Sequence, residues 1–263
     1  MIASPRPASL RLAVWNCRGG LDRKCDALRS LGVDIAVVPE CARAPAFADR
    51  PGVAFAWKGR SPTKGLGVFA FGGWCLDPVA ERDELPWVLP LRLIDPDGAE
   101  AALLLAVWTI ANAAGGWPGY AGQVAAAIDA WGAQLEGLPM ILAGDLNCAA
   151  QGSGAGPHLR NVEQLAELGV ESAYHAHHGL EHGDETAMTL RWKGRGGHVS
   201  GHHVDFVFLS RPLLDRLEAV EIGSMRDWVE SGLSDHCPVI VDLARRPLPD
   251  SAIPPGPPAL VAQ

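Results

Sequence analysis

The chain has no run of 18 apolar residues, no C-x-x-C pair, no internal repeat and no excess of positive charge. Lacking the apolar run, it has no segment able to cross a membrane as a helix. The opening Met1 to Ser9 contains two prolines and no apolar stretch, which argues against a secretory signal. A cytoplasmic protein with no membrane partner is therefore expected. Without paired cysteine spacing, Cys17, Cys25, Cys41, Cys75, Cys148 and Cys237 read as reduced thiols. Most sit inside apolar runs, where a free thiol behaves as a small hydrophobe. The net charge of -8 excludes a strongly basic coat for nucleic acid. Several of those carboxylates would be neutralised by bound metal, so a phosphate-bearing substrate is not excluded.

What is present is a large apolar fraction. At 263 residues and 48% hydrophobic, the chain can bury one extensive core, and a single catalytic domain over residues 10–246 is expected. Residues 1–9 read as a flexible start. Residues 247–263 carry six prolines and few charges and read as a disordered tail. Apolar β-type runs recur at Leu10 to Trp15, Asp34 to Pro39, Val53 to Trp57, Gly67 to Phe71, Trp87 to Ile94, Ala101 to Thr109, Pro139 to Ala143, Val204 to Leu209 and Pro238 to Leu243. Helical patterns cover Leu21 to Leu31 and Tyr120 to Leu138. Strands interleaved with helices predict a mixed α/β layered domain. Residues 175–203 hold seven of the nine histidines among many glycines and read as a long loop with at most one strand near Met188 to Trp192. His175, His177, His178 and His182 show no regular metal spacing, so zinc is not expected there.

Polar residues of one chemical kind stand at the ends of these runs: Asn16, Glu40, Asp145 with Asn147, Asp205, and Asp235 with His236. A lone Asp after a strand is usually a turn former. Five such coincidences predict that the groups converge on one sheet edge, where loops on a rigid scaffold build sites.

The ordered elements Trp15-Asn16, Pro39-Glu40, Gly144-Asp145-Leu146-Asn147, Val204-Asp205-Phe206 and Ser234-Asp235-His236 make the chain resemble a bacterial-type member of the endonuclease/exonuclease/phosphatase superfamily. Exonuclease III, deoxyribonuclease I and the sphingomyelinases belong to that superfamily. The resemblance covers nearly all of the chain up to Leu243. It implies a four-layered α/β sandwich, with two mixed β-sheets face to face and helices outside. It implies that Asp145 activates the attacking water, that Asn147 helps to hold the water and the phosphate, and that His236 contacts the phosphate while Asp205 hydrogen-bonds His236. An anion beside an imidazole raises its pKa, so a protonated His236 is expected. Glu40 and Asp235 are hard oxygen ligands suited to Mg²⁺ or Mn²⁺, and Asn16 adds a neutral oxygen that binds metal or orients Glu40.

The pattern departs from its relatives at one place. Where they carry Tyr or His after the strand preceding the long helix, this chain has Trp108, which donates one N–H and does not titrate. Asn112 or Tyr120 then stands in for that role. Lys64, in a Lys-Gly-Leu-Gly turn close to Lys58 and Arg60, and His203, beside Asp205, are further candidates for phosphate contact.

The expected function is a divalent-metal-dependent phosphoesterase, a nuclease acting on nucleic acid, working as a monomer without an obligate protein partner. A rival with the same chemistry is a phosphatase for lipid head groups or small phosphoesters, although no amphipathic membrane hairpin supports it. A rival of another class is a catalytically silent binding protein of the same fold.

Overall fold

The computed structural model describes residues 9–79, 82, 84–111, 116, 118–135, 139–152 and 154–244. The expected Pro-rich tail, Asn112, and all but Ser9 of the expected flexible start lie outside them.

The apolar runs become strands because they are rich in Val, Ile, Leu and aromatic residues and are cut by Gly, Pro and Asp at their ends. In chain order they are β1 (Leu10–Val14), β2 (Ile35–Cys41), β3 (Ala54–Ser61), β4 (Lys64–Ala70), β5 (Cys75–Pro78), β6 (Val88–Ile94), β7 (Glu100–Trp108), β8 (Met140–Asp145), β9 (Val170–Ser172), β10 (Leu190–Lys193), β11 (Val199–His202), β12 (Asp205–Ser210), β13 (Leu217–Ile222) and β14 (Val239–Leu243). The α-helices are α1 (Cys25–Ser30), α2 (Tyr120–Leu135), α3 (Ala155–Glu167), α4 (Ala173–His178) and α5 (Arg211–Leu214).

Two six-stranded mixed sheets form, in the orders β13-β14-β1-β2-β4-β3 and β5-β6-β7-β8-β12-β9. Their inner faces share one core. Leu10, Leu12, Val14, Ile35, Val37 and Val239 of the first sheet pack with Leu104, Ala106, Ile141, Ala143, Val207 and Leu209 of the second. The outer faces are covered too: Val124, Ile128, Trp131 and Leu165 of α2 and α3 lie on the second sheet, while Leu28 of α1, Phe47 and Trp228 cover the first. This is the expected four-layered α/β sandwich. Apolar residues on both strand faces explain why the runs are continuous rather than alternating.

Three expectations need correction. Residues 175–203 are not a loop with one strand: α4 ends at His178, and β10 pairs antiparallel with β11 in a separate hairpin. Its exposed Trp192 and Val199 and polar neighbours gave no apolar run to read. Helix α3 went unpredicted because its start, from Gly152 through Pro157, reads as a breaker cluster; Pro in a first helical turn loses no hydrogen bond. Among the thiols, all six are free and four are buried, but Cys75 is exposed on the edge strand β5. No described helix is long and apolar enough to cross a membrane.

Candidate active site

Strand parity decides which polar residues meet. Leu12 and Val14, Ile141 and Ala143, and Val207 and Leu209 all point into the space between the sheets. Side chains two residues apart share a face, so Asn16, Asp145 and Asp205 continue the inward rows past the point where the apolar core ends. Asp145 stands directly opposite Asp205 in the antiparallel pair β8·β12, and opposite Trp108 in the parallel pair β7·β8. Gly144 makes this close pairing possible: a β-carbon there would sit 1.7 Å from the Val107 carbonyl oxygen.

The result is a buried cluster of Asp145, Asp205 and His236 whose ligand atoms lie within 4.8 Å of one another. His236 Nδ1–H donates to Asp205 Oδ2 at 2.7 Å, and His236 Nε2 is 4.0 Å from Asp145 Oδ2. Asn16 Nδ2 donates to Asp145 Oδ2 at 2.8 Å and lies 3.5 Å from Glu40 Oε1. The backbone N–H of Asn147 donates to Asp145 Oδ1 at 2.9 Å, while its side-chain Nδ2 donates to the Thr109 carbonyl at 3.0 Å. Glu40 pairs with Lys64 at 2.9 Å, and Asp235 faces Arg18 at 3.4 Å. The seven residues singled out in the sequence thus form two linked groups. Asp145, Asp205 and His236 make the buried floor, with the half-buried Asn147 bonded to Asp145 at its edge; the half-buried Glu40 and Asp235 sit nearer solvent, and Asn16 bonds Asp145 and reaches toward Glu40.

Electrostatics set the protonation states. Burial opposes charge on His236, but Asp205 and then Asp145 outweigh it and push its pKa up to about 10, so the imidazolium persists at neutral pH. Burial, and next the Asp205 charge, raise Asp145 well above the usual carboxylate range, against the lowering pull of His236 and the Asn16 hydrogen bond. One oxygen of Asp205, Oδ1, is buried without a hydrogen-bond partner. The half-buried carboxylates of Glu40 and Asp235 and the amide of Asn16, beside the unpartnered Asp205 Oδ1, make a hard donor set, which suits a Mg²⁺-class ion.

Backbone strain concentrates here. Among the described residues the non-glycine positions with positive φ are Arg18 at 53°, Glu40 at 61° and Asn147 at 48°, each at this cluster or paired to it. Such conformations cost energy in ordinary side chains and persist where surrounding structure enforces them.

The other sequence candidates separate. Lys64 holds its ammonium 5.6 Å from the Trp108 ring centroid, and both line a recess of about 230 Å³ with Lys58, Arg60 and Trp87. Tyr120, at the start of α2, has its phenol pKa raised by burial and then by Asp145. His203 is turned elsewhere: its Nδ1 donates to the Ala187 carbonyl at 2.8 Å and its ring packs on Tyr174 and Phe206. Residues that the sequence reading missed hold the frame. The Ser234 hydroxyl donates to the Asn16 carbonyl at 2.7 Å, fastening the Ser-Asp-His turn to the end of β1. Thr189 Oγ1 accepts from the N–H groups of Val204 and Asp205. Single hydroxyls in loops leave no pattern in a sequence.

No family model and no curated protein matches the chain. Solved structures do. A 3′ phosphatase, NExo, from Neisseria bound to a product DNA hairpin superposes with a TM-score of 0.67 at 15% identity, covering 90% of this chain and 100% of that one. The AP endonuclease LMAP from Leishmania major gives 0.63 at 18% identity over 90% of this chain and 88% of that one. An AP endonuclease from Archaeoglobus fulgidus gives 0.63 at 14% identity over 89% and 99%. These neighbours belong to one superfamily, and with its paired six-stranded sheets and flanking helices this chain has the fold of the endonuclease/exonuclease/phosphatase superfamily.

Proposed function

We propose that the protein is a divalent-metal-dependent phosphoesterase that hydrolyses phosphodiester bonds in nucleic acid. The observation that carries this reading is the buried Asp145, Asp205 and His236 cluster, in which one imidazolium is held charged between two carboxylates at the mouth of a sheet sandwich. In-line hydrolysis needs a base for the attacking water and positive groups for charge growing on the phosphoryl oxygens. Asp145 takes the water's proton, and its raised pKa strengthens it as a base near neutrality. The water oxygen bonds to phosphorus as the bond to the leaving oxygen breaks. His236, oriented by Asp205, donates from Nε2 to a non-bridging oxygen. Asn147, fixed to Asp145 and Thr109, positions the reacting groups. Asn16, Glu40 and Asp235 are the residues that would hold Mg²⁺ or Mn²⁺. When bound, the ion neutralises charge on the phosphoryl group.

A DNA target is favoured by the named substrates of the neighbours, a DNA hairpin product among them, and by the basic recess beside Glu40. Purified protein with Mg²⁺ or Mn²⁺ is expected to cleave bis-p-nitrophenyl phosphate and abasic or plasmid DNA, and Asp145→Ala to lose at least about a hundredfold in kcat, the scale of general-base catalysis. Equal rates in both proteins, or activity that survives EDTA, overturn the proposal. A panel including inositol phosphates and sphingomyelin separates nucleic acid from small-ester and lipid substrates.

A further inference from the structure

Other inward rows end beside the catalytic floor. On β4, Lys64 continues the row of Leu66, Val68 and Ala70, and on β3, Lys58 continues the row of Ala54 and Ala56. From the facing sheet, Trp108 continues Ala102, Leu104 and Ala106 of β7. These row ends bound the recess of about 230 Å³ beside Glu40. Its lining is graded by depth: Leu66 and Trp87 are buried, Trp108 is half-buried, and Arg60 and Lys64 are exposed. An apolar, aromatic interior therefore lies under a cationic edge, in a chain whose net charge is -8. The wall is held in place, because Trp87 Nε1 donates to the Gln123 carbonyl at 3.1 Å.

The recess joins the catalytic floor at two points. Trp108 stands opposite Asp145 in the parallel pair β7·β8, one strand spacing of about 4.8 Å away. Lys64 pairs with Glu40 at 2.9 Å and holds its ammonium 5.6 Å from the Trp108 ring centroid, within cation–π range. Successive nucleotides rise about 3.4 Å along a strand, so a phosphate attacked beside Asp145 has this recess at the adjoining nucleotide. The volume falls below the roughly 300–1,000 Å³ of sites for drug-sized ligands and suits a single ring system. Cations at the edge and indoles inside match the two halves of a nucleotide, an anionic phosphate and a planar base. A base within a duplex is stacked and paired and must be extruded to enter, whereas an unpaired base needs no such step.

We propose that this recess is a base-binding subsite, which takes one unpaired nucleobase next to the scissile phosphate, stacked on Trp108, while Arg60 and Lys64 meet the adjoining phosphates. The subsite rests on the nuclease reading above and narrows it to substrates with an unpaired nucleotide beside the cleaved bond. Trp108 is then a specificity residue. Its indole exchanges no proton near neutrality, and what it brings to the site is a planar surface.

The test reads binding of the full-length protein by fluorescence anisotropy in EDTA, without turnover, to labelled decathymidylate and to a base-free abasic decamer of the same backbone charge. Wild type should bind decathymidylate about 5- to 150-fold more tightly, the scale of one base–aromatic stack. Trp108→Ala should lose most of that preference and Trp108→Phe should keep part of it. Trp192→Ala, at an exposed indole on β10, should keep it whole. Lys64→Ala should weaken both decamers alike. With Mn²⁺ added, Trp108→Ala should lower kcat/KM on the single strand by the same factor and on a decamer duplex by less than about twofold. Equal binding of the two decamers by wild type, a preference that survives Trp108→Ala, or equal kinetic losses on single strand and duplex overturns the subsite. Absence of hydrolysis with the binding preference intact overturns the nuclease reading and upholds the subsite. Should Trp108→Ala fail to fold, irradiation of wild type with a 5-iodouracil decamer should crosslink Trp87 or Trp108, and crosslinks confined to other peptides overturn the subsite equally.

Discussion

Replacing Asp205 with Asn keeps the shape beside His236 and removes the charge. An ordinary histidine titrates near 6.5 and His236 at about 10, a difference in proton affinity of about 5 kcal/mol. Asp205 is the foremost group raising it, by its charge and by the 2.7 Å hydrogen bond from Nδ1. Because the folded value is raised, the linked stability is complete below pH 6.5 and is lost as pH climbs through about 10. With Asn at 205 the foremost raising group is gone while the opposition of burial remains, so His236 is expected to lose its proton at a lower pH than in wild type. Breaking a buried charge pair costs about 3–5 kcal/mol, of the same size as the proton-affinity figure. The measurement is an NMR titration of the His236 ring in metal-free wild type and Asp205→Asn, joined to urea unfolding at pH 6, 8 and 10. Wild type should keep its imidazolium past pH 9 and lose stability toward pH 10; the variant should be less stable at pH 6 and 8 and show little further alkaline loss. An unshifted His236 in the variant, or identical pH–stability curves, refutes the reasoning.

Gly144→Ala should unfold the protein or lower its stability by more than about 3 kcal/mol, read from denaturant midpoints, because the new carbon meets the Val107 carbonyl at 1.7 Å within the β7·β8 pair. Metal-free wild type should lose stability as pH falls from 6.5 toward 4, by up to about 3 kcal/mol from His158 alone, since its depressed folded value supplies stability only above the unfolded one. His158→Leu should lack that share of the acid loss in the same urea titration. Lys64→Ala, at a side chain that is half exposed, should change folding stability by less than about 1 kcal/mol. Its KM on DNA should nevertheless rise several-fold and lose part of its salt dependence, with kcat little altered, as steady-state kinetics at two salt concentrations will tell.

The sandwich was legible because both strand faces are buried, which prints uninterrupted apolar runs, and because inward rows such as Ile141, Ala143 and Asp145 end in polar groups. Which polar groups adjoin was partly legible: the sequence pairs Asp205 with His236 through the superfamily resemblance, and the two are hydrogen-bonded. Three things left no trace. The strand read near Met188 to Trp192 overlaps β10, but its partner β11, Val-Ser-Gly-His with no residue buried, gives periodicity nothing to register. Helix α3 hides behind a glycine-rich start. The buried histidine cluster draws His158 from α3, His175 from α4 and His182 from the segment beyond, and side chains gathered from separate elements have no fixed spacing.

The inward rows also bear on how such a protein changes over evolutionary time. Asp145 reaches the site because Ile141 and Ala143 are seated in the core, so a single-residue insertion in β8 would swing every side chain to the opposite face and place a neighbour where the carboxylate belongs. Strand length is therefore frozen by the core itself. The turn between β3 and β4, with Lys64 opening β4 beside it, and the β10/β11 hairpin face no such constraint and can lengthen or change charge freely. New targets are expected to be acquired at those two tips, with the hydrolytic floor left as it is.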